Sequence, residues 1–409
     1  MNPAQHPDPQ SFRAILARPD FSRFVLGSNL LRMGGNIFGL TLVLFALEHF
    51  RSPVLAGLVA FASLAPGLIL SPIAGVFLDR HGPVRMIALD LGTGSLMVTT
   101  LLALNLSGHL SPPFLLVIAA LGGLTMPLTV GGSRTLVPLL LPPHLWDRGN
   151  GIDSAGMSLV NIAGPAVAGI VLTAVGPDFT FALTGGFWVI AGILILSIKA
   201  PVTTRNPPES VLVSAWSGLR YLFRTPNLRA IAFTMPIANL GTGLRFVALP
   251  VIVLKWPGSS PALVGVLWAA DGVGSALGAV LVTSIGTVGR EKLIAAVSLG
   301  GMTVSAILFL ASRGPLLAML AMCMAGFFDG PFQVAFFSLR QRATEPQWLS
   351  RTMTVSASIN WLGQPVGSGL AGPLVAASAP LGILAAAACW LVATVVCTIT
   401  ITSSQRPER

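Results

Sequence analysis

Polar residues are sparse along this chain, and they fall at nearly regular intervals. Between them lie apolar runs at 22–47, 53–78, 84–106, 113–141, 150–175, 178–199, 228–253, 261–287, 291–312, 314–340, 351–376 and 378–402. Crossing a bilayer takes roughly 20 apolar residues in helical form, and every run is that long. A segment in hydrocarbon must satisfy its own backbone hydrogen bonds, which predicts helices. The ten-residue apolar/polar alternation of a membrane β-barrel does not occur. The pattern therefore predicts an all-α membrane protein of twelve transmembrane helices.

The longest polar stretch, 200–227, falls midway and divides the chain into six runs at 22–199 and six at 228–402, flanked by tails at 1–21 and 403–409. Its second part, from Val211 to Arg224, repeats apolar residues at helical spacing. It predicts an amphipathic helix on the membrane interface, anchored by Trp216, Tyr221 and Arg224. The two halves echo each other. Arg23 and Gly35 match Arg229 and Gly241; Ser52, Pro53, Leu55 and Gly57 match Ser260, Pro261, Leu263 and Gly265; Gly82 and Arg85 match Gly289 and Lys292; Arg148, Gly164 and Gly169 match Arg351, Gly367 and Gly372. Ordered matches at near-constant spacing predict two pseudo-symmetric six-helix bundles, with a substrate site between them near the midplane.

Composition sharpens this picture. Only 9% of the 409 residues are charged and 53% are hydrophobic, with a mean hydropathy of +0.80. Such a surface requires lipid as its solvent, where soluble domains carry about 25% charge. The net charge of +10 does not signal nucleic acid, because the basic residues sit at the ends of apolar runs. With the N-terminus placed in the cytoplasm, 18 of the 24 Lys and Arg fall on the cytoplasmic side. Three (Arg51, Lys255, Arg313) fall outside and three (Arg32, Arg134, Arg245) within helices. This is a strong positive-inside bias. It predicts a multi-pass protein of the inner (plasma) membrane with both termini cytoplasmic. Residues 1–20 lack the apolar core of a signal peptide, so the first helix is expected to act as its own uncleaved signal. Cys323, Cys389 and Cys397 all lie in apolar runs and form neither a disulfide framework nor a metal site. No phosphate-binding Gly-x-x-x-x-Gly-Lys-Ser/Thr, His-Glu-x-x-His or Gly-x-Ser-x-Gly pattern occurs. Neither an ATP-driven pump nor an enzyme is indicated, no cofactor or metal is expected, and nothing in the sequence points beyond a monomer.

The loop after the second run reads Gly75-Val-Phe-Leu-Asp79-Arg80-His81-Gly82-Pro83-Val84-Arg85. A short turn between spans needs a glycine, and a carboxylate at a helix end can accept bonds from a base or from free helix amides. This loop resembles the signature loop of the major facilitator superfamily. The fifth run contains Gly164-Pro165-Ala-Val-Ala-Gly169, which resembles the antiporter motif of exporting members. Arg134-Thr-Leu-Val-Pro138, Arg148-Gly-Asn150 and the Gly218–Arg229 segment look like the branch of macrolide-efflux proteins and the enterobactin exporter. The resemblance implies the major facilitator fold. It also implies that Gly75, Asp79, Arg80, Gly82 and Arg85 form a gating loop, with Asp79 latching against the start of helix eleven near Arg351, and that helices one, four, seven and ten line the cavity. One departure is visible: where this branch often has an acidic residue in helix one, the sequence reads Arg32-Met33-Gly34.

Charges inside spans are costly and usually functional. Arg32, Arg134, Arg245, Asp271 and Asp329 are the candidates for substrate or proton binding, with Asp90 and Asp153 nearer the helix ends. In one reading the arginines hold an anionic group and Asp329 or Asp271 carries the proton. In the other, Arg and Asp simply pair. The expected function is a secondary active transporter, a proton-coupled efflux antiporter for small amphipathic molecules or drugs, working by alternating access. Its partners are then the small-molecule substrate, the proton and the bilayer. A transporter of an anionic metabolite or siderophore is the alternative, suggested by the cavity arginines. A non-transporting sensor or a lipid flippase on the same fold is a further one.

Overall fold

In lipid a helix gains most by starting and stopping cleanly, and the sequence supplies the means. Proline occupies the first turn of most helices, where its missing N–H would be unpaired anyway. The Ser52 side chain caps the helix that begins at Pro53 by accepting from Leu55 N at 3.1 Å. Thr180, Thr184 and Thr234 turn their hydroxyls back onto carbonyls four residues earlier, at 2.8, 3.1 and 2.9 Å. Polar side chains can thus lie in an apolar setting without a distant partner.

A computed structural model describes residues 12–199, 211–345 and 348–401, with backbone alone at 72, 211–215, 349–351 and 354. Residues 1–11, the start of the predicted linker at 200–210, and the tail at 403–409 lie outside the described residues. The first half contains α1 (Phe12–Leu16), α2 (Pro19–Glu48), α3 (Pro53–Ala62), α4 (Ala65–His81), α5 (Pro83–Leu106), α6 (Pro112–Leu140), α7 (Trp146–Val175) and α8 (Pro177–Leu196). The connecting α9 (Val211–Arg224) follows. The second half contains α10 (Pro226–Val253), α11 (Pro261–Ile285), α12 (Glu291–Ala311), α13 (Pro315–Arg342), α14 (Leu349–Trp361), α15 (Gly363–Ala377) and α16 (Ala379–Thr400). Among the described residues, eleven helical stretches are long and apolar enough to cross a membrane. The remaining predicted run, the eleventh, is split at Leu362 into α14 and α15. The second run is also interrupted, at Ser63–Leu64 between α3 and α4.

The same packing scheme appears twice. In the first half α2 packs on α7 and α8, α5 on α6 and α8, and α4 on α6. In the second, α10 packs on α15 and α16, α12 on α13 and α16, and α11 on α13. Each bundle is pinned by a tryptophan. Trp188 Nε1 donates to Leu31 O at 3.2 Å, and Trp390 Nε1 donates to Ala238 O at 3.0 Å. Each indole lies against a glycine of the facing helix, Gly34 or Gly241. The structural partner of Gly241 is therefore Gly34, a correction to the match with Gly35 drawn from spacing. Gly35 faces open space, where an added Cβ would meet nothing within 4 Å.

The two halves meet at two crossings, α3 with α15 and α7 with α11. Both are built on glycine, which lets backbones touch. Gly57 lies against Ser368 and Gly372, and Gly265 against Pro165 and Gly169. Gly57 matches Gly265 and Gly169 matches Gly372 in the sequence repeat, so one contact serves twice. Both crossings lie at the end that carries few Lys and Arg. At the Lys/Arg-rich end α4 and α14 approach only sparsely. Outward faces remain apolar, as at Ile69, Leu316 and Ile399, which is the expected surface for lipid.

The α9 helix corrects one expectation. Trp216 is exposed, but Tyr221 is not a membrane anchor. Its ring stacks on Trp348 at 5.0 Å, and its hydroxyl accepts from Glu345 N at 3.2 Å. An aromatic ring with a protein face available packs there, and this ties α9 to the second half.

Candidate functional site

Where the halves face each other, they enclose a cavity of about 450 Å³. Asn36 of α2, Asn161 of α7, Phe246 of α10, Trp268 and Asp271 of α11 and Asp329 of α13 are among its walls. Its wall mixes the rings of Phe246 and Trp268 with amides, hydroxyls and two carboxylates, a lining more polar than the usual small-molecule site. Asn36 donates to Asn161 at 3.3 Å and to Arg32 O at 3.2 Å, tying α2 to α7 along the wall.

The charges resolve into pairs and one remainder. Arg32 makes a two-pronged bridge to Asp153, at 2.8 and 2.9 Å. The planar guanidinium fits a carboxylate in this way. Arg245 donates to Asp271 at 2.8 Å. Its guanidinium lies over the rings of Trp268, 5.1 Å away, and Trp390, 5.5 Å away. Arg245 is buried, and the pair plus two ring faces compensates for its lost hydration. Asp329 has no ion pair among the described residues; its carboxylate accepts from Gln333 at 3.3 Å. It also feels the charges of both Asp271 and Arg245. Two carboxylates thus share the influence of a single guanidinium.

Of the residues singled out in the sequence, Asp271 and Asp329 line the cavity, while Arg32 and Arg245 stand behind its wall, each held by an aspartate. Arg134 is not at the cavity: it is exposed on α6, near enough to the buried Arg340 of α13 for the two cations to repel. Helix four, α6, which the resemblance implies as a cavity helix, is not among the described walls of the central cavity. The wall comes instead from α2, α3, α7, α10, α11, α13 and α15. Sequence reasoning passed over Asn36 and Asn161. They are amides inside apolar runs, and Asn36 lies one helical turn beyond Arg32, which was the available signal. Trp268 and Phe246 carry no such mark.

Pro165 lines the cavity, and Gly164 lies against the Asn36 side chain. Gly169 abuts Pro261 and Gly265 across the halves. The fifth-run motif therefore sits at the seam. In the loop expected to gate, Gly82 closes α4 with φ of +80°, a conformation suited to glycine. Asp79, Arg80 and Arg85 are exposed and make no ion pair among the described residues. The expected latch partner, the Arg351 side chain, lies outside the described residues. The second copy of the loop behaves differently: Glu291 is buried and paired with Arg342, which also donates to Thr287 at 3.1 Å.

Comparison with known proteins gives the same outline. The pattern of the Major Facilitator Superfamily matches residues 24–368. The chain is 35% identical over 377 residues to an uncharacterized MFS-type transporter, y4rN, of Sinorhizobium fredii, covering 90% of this chain and 91% of that protein. It is 30% identical to the multidrug efflux pump Tap of Mycolicibacterium fortuitum, over 87% of this chain and 89% of Tap. It is 25% identical to the enterobactin exporter EntS of Escherichia coli, over 76% and 74%. Among solved structures, a bacterial homolog of the human lysosomal transporter Spinster, inward-facing and unoccupied, superposes with a TM-score of 0.73 at 15% identity, covering 94% of this chain and 97% of that one.

Proposed function

The chain belongs to the Major Facilitator Superfamily, and on that premise we propose that it is a proton-coupled efflux antiporter for small amphipathic molecules, neutral or cationic. The observation that carries this reading is the charge arrangement of the central cavity. Each nearby arginine is held by an aspartate, and Asp329 is left without an ion pair of its own among the described residues. Such a cavity disfavours an anion and favours a neutral or positive guest. It also leaves a carboxylate free to take up a proton. The similarity to Tap and EntS supports export as the direction. The seal at the Lys/Arg-poor end, taken with the positive-inside bias, reads as a cavity that opens to the cytoplasm. In the cycle, substrate binds from the cytoplasm, the halves rock, and protonation of Asp329 from outside alters its interaction with the Arg245–Asp271 pair. Coupling requires that proton and substrate each favour a different state.

The test is transport by the purified protein in liposomes under an imposed pH gradient, offering lipophilic cations, neutral drugs and amphipathic carboxylates in parallel. The expected result is gradient-driven movement of cations or neutral compounds, lost in Asp329→Asn. Gradient-driven movement of carboxylates alone, abolished by Arg32→Ala, would overturn the reading in favour of an anion transporter.

A further inference from the structure

Inside the first half a second cavity, of about 190 Å³, branches from the central one. Gly35, Gly39, Ser63 and Leu64 wall both, so the two spaces adjoin at the break between α3 and α4. The far wall carries Asp90 and Met97 of α5, Met126 of α6 and Trp188 of α8.

Asp90 takes part in none of the ion pairs among the described residues. The hydroxyls of Thr125 and Thr129 lie beside it; Thr125 donates to Gly122 O at 3.5 Å and Thr129 Oγ1 is buried without a hydrogen-bond partner among the described residues, so neither neutralises it. An unpaired carboxylate at membrane depth is costly and gains from any cation brought to it. The rest of the lining suits an organic cation. Trp188 commits its N–H to Leu31 O and leaves its ring as wall. Aromatic faces attract ammonium groups, and the two thioethers are polarisable and adaptable. A proton alone would need neither this space nor this lining.

We propose that the branch is a subsite for the ammonium group of a cationic amphipathic substrate, whose body remains in the central cavity. Asp90 supplies the counter-charge and Trp188 the facing ring. The proposal rests on the efflux reading above and adds to it a defined charge recognition that lies within one bundle rather than between the two.

The test is equilibrium binding to the purified protein of the benzyltrimethylammonium ion and of its uncharged carbon isostere, neopentylbenzene. The quaternary nitrogen carries no proton, so binding cannot be confused with proton transfer. Asp90→Asn should weaken binding of the cation by about tenfold or more while leaving the isostere within about twofold, and Asp90→Glu should retain the cation. Gly122→Leu keeps the carboxylate and adds bulk at a wall of the branch, at a position where a Cβ meets nothing within 4 Å. It should weaken both probes. Cation binding unchanged in Asp90→Asn, or both probes weakened equally by it, would overturn the subsite and leave the efflux reading standing. A wild-type protein that binds neither probe, and moves no cation or neutral compound in liposomes, would overturn both.

Discussion

At the residue scale, the two paired arginines of the spans, Arg32 and Arg245, look alike in sequence but differ in setting. The Arg245 side chain is 6% exposed and Asp271 16%, whereas Arg32 and Asp153 are 18% and 22% exposed. Removing one partner of a buried pair leaves the other charge stranded, at a cost of about 3–5 kcal/mol. Asp271→Asn is expected to destabilise the protein by that order, measured by thermal unfolding in detergent, and Asp153→Asn by less, because water reaches that pair. Asp329→Asn breaks no ion pair among the described residues, so it should destabilise less than Asp271→Asn, although pH-driven transport is expected to be lost. That contrast separates a structural carboxylate from a coupling one. The sequence marked all these residues, since a charge in an apolar run is visible by composition alone. It could not show that Arg32 reaches Asp153, 121 positions away, because pairing depends on which helix faces come together. It likewise concealed the equivalence of Trp188 and Trp390, whose meaning lies in a shared hydrogen bond to the facing helix.

At the element scale, the helices were legible almost to their ends, because the solvent on both sides of the apolar/polar border dictates them. The breaks at Ser63–Leu64 and Leu362 were read through; Pro66 and Pro365, just beyond each, were the available signal, since proline suits the first turn of a new helix. At the first, Pro66 has no N–H to give to the Ala62 carbonyl, and Gly123 of α6 lies against the Ser63 carbonyl. The repeat of Gly57 and Gly265 was legible as spacing, but its purpose emerges only from the packing. A side chain at Gly265 would run into the Pro165 carbonyl, and its Cβ would stand 3.1 Å from Gly169 Cα. Overpacking of this kind costs about 1–3 kcal/mol, and only the state closed at this end bears it. Gly265→Val should therefore shift the balance toward the oppositely closed state by about tenfold or more. Spin labels at the exposed positions 51 and 255 would report the change as a longer distance between the halves. Gly35→Ala, which meets open space, should leave that distance unchanged.

At the scale of the whole molecule, the two bundles share a packing scheme yet differ in where they hold charge. The second half locks its loop copy internally, through Glu291 and Arg342. The first half leaves Asp79 exposed and without an ion pair among the described residues. In the state described here the Lys/Arg-poor end is sealed by glycine contacts, and Asp79 contributes little. A carboxylate that is idle in one state can bias the equilibrium only through the other, where α4 and α14 would draw together. Asp79→Asn is thus expected to leave unfolding stability within about 0.5 kcal/mol while disfavouring the oppositely closed state. If its latch is worth about 1.4 kcal/mol there, the population of that state falls about tenfold. Transport slows accordingly, with substrate affinity for the sealed state unchanged. The measurement is the same pair of labels, now combined with Gly265→Val. Because one change weakens the latch and the other disrupts the seal, the double variant should return the distance distribution toward that of the wild type. A double variant as widely open as Gly265→Val alone would show that Asp79 plays no part in the balance.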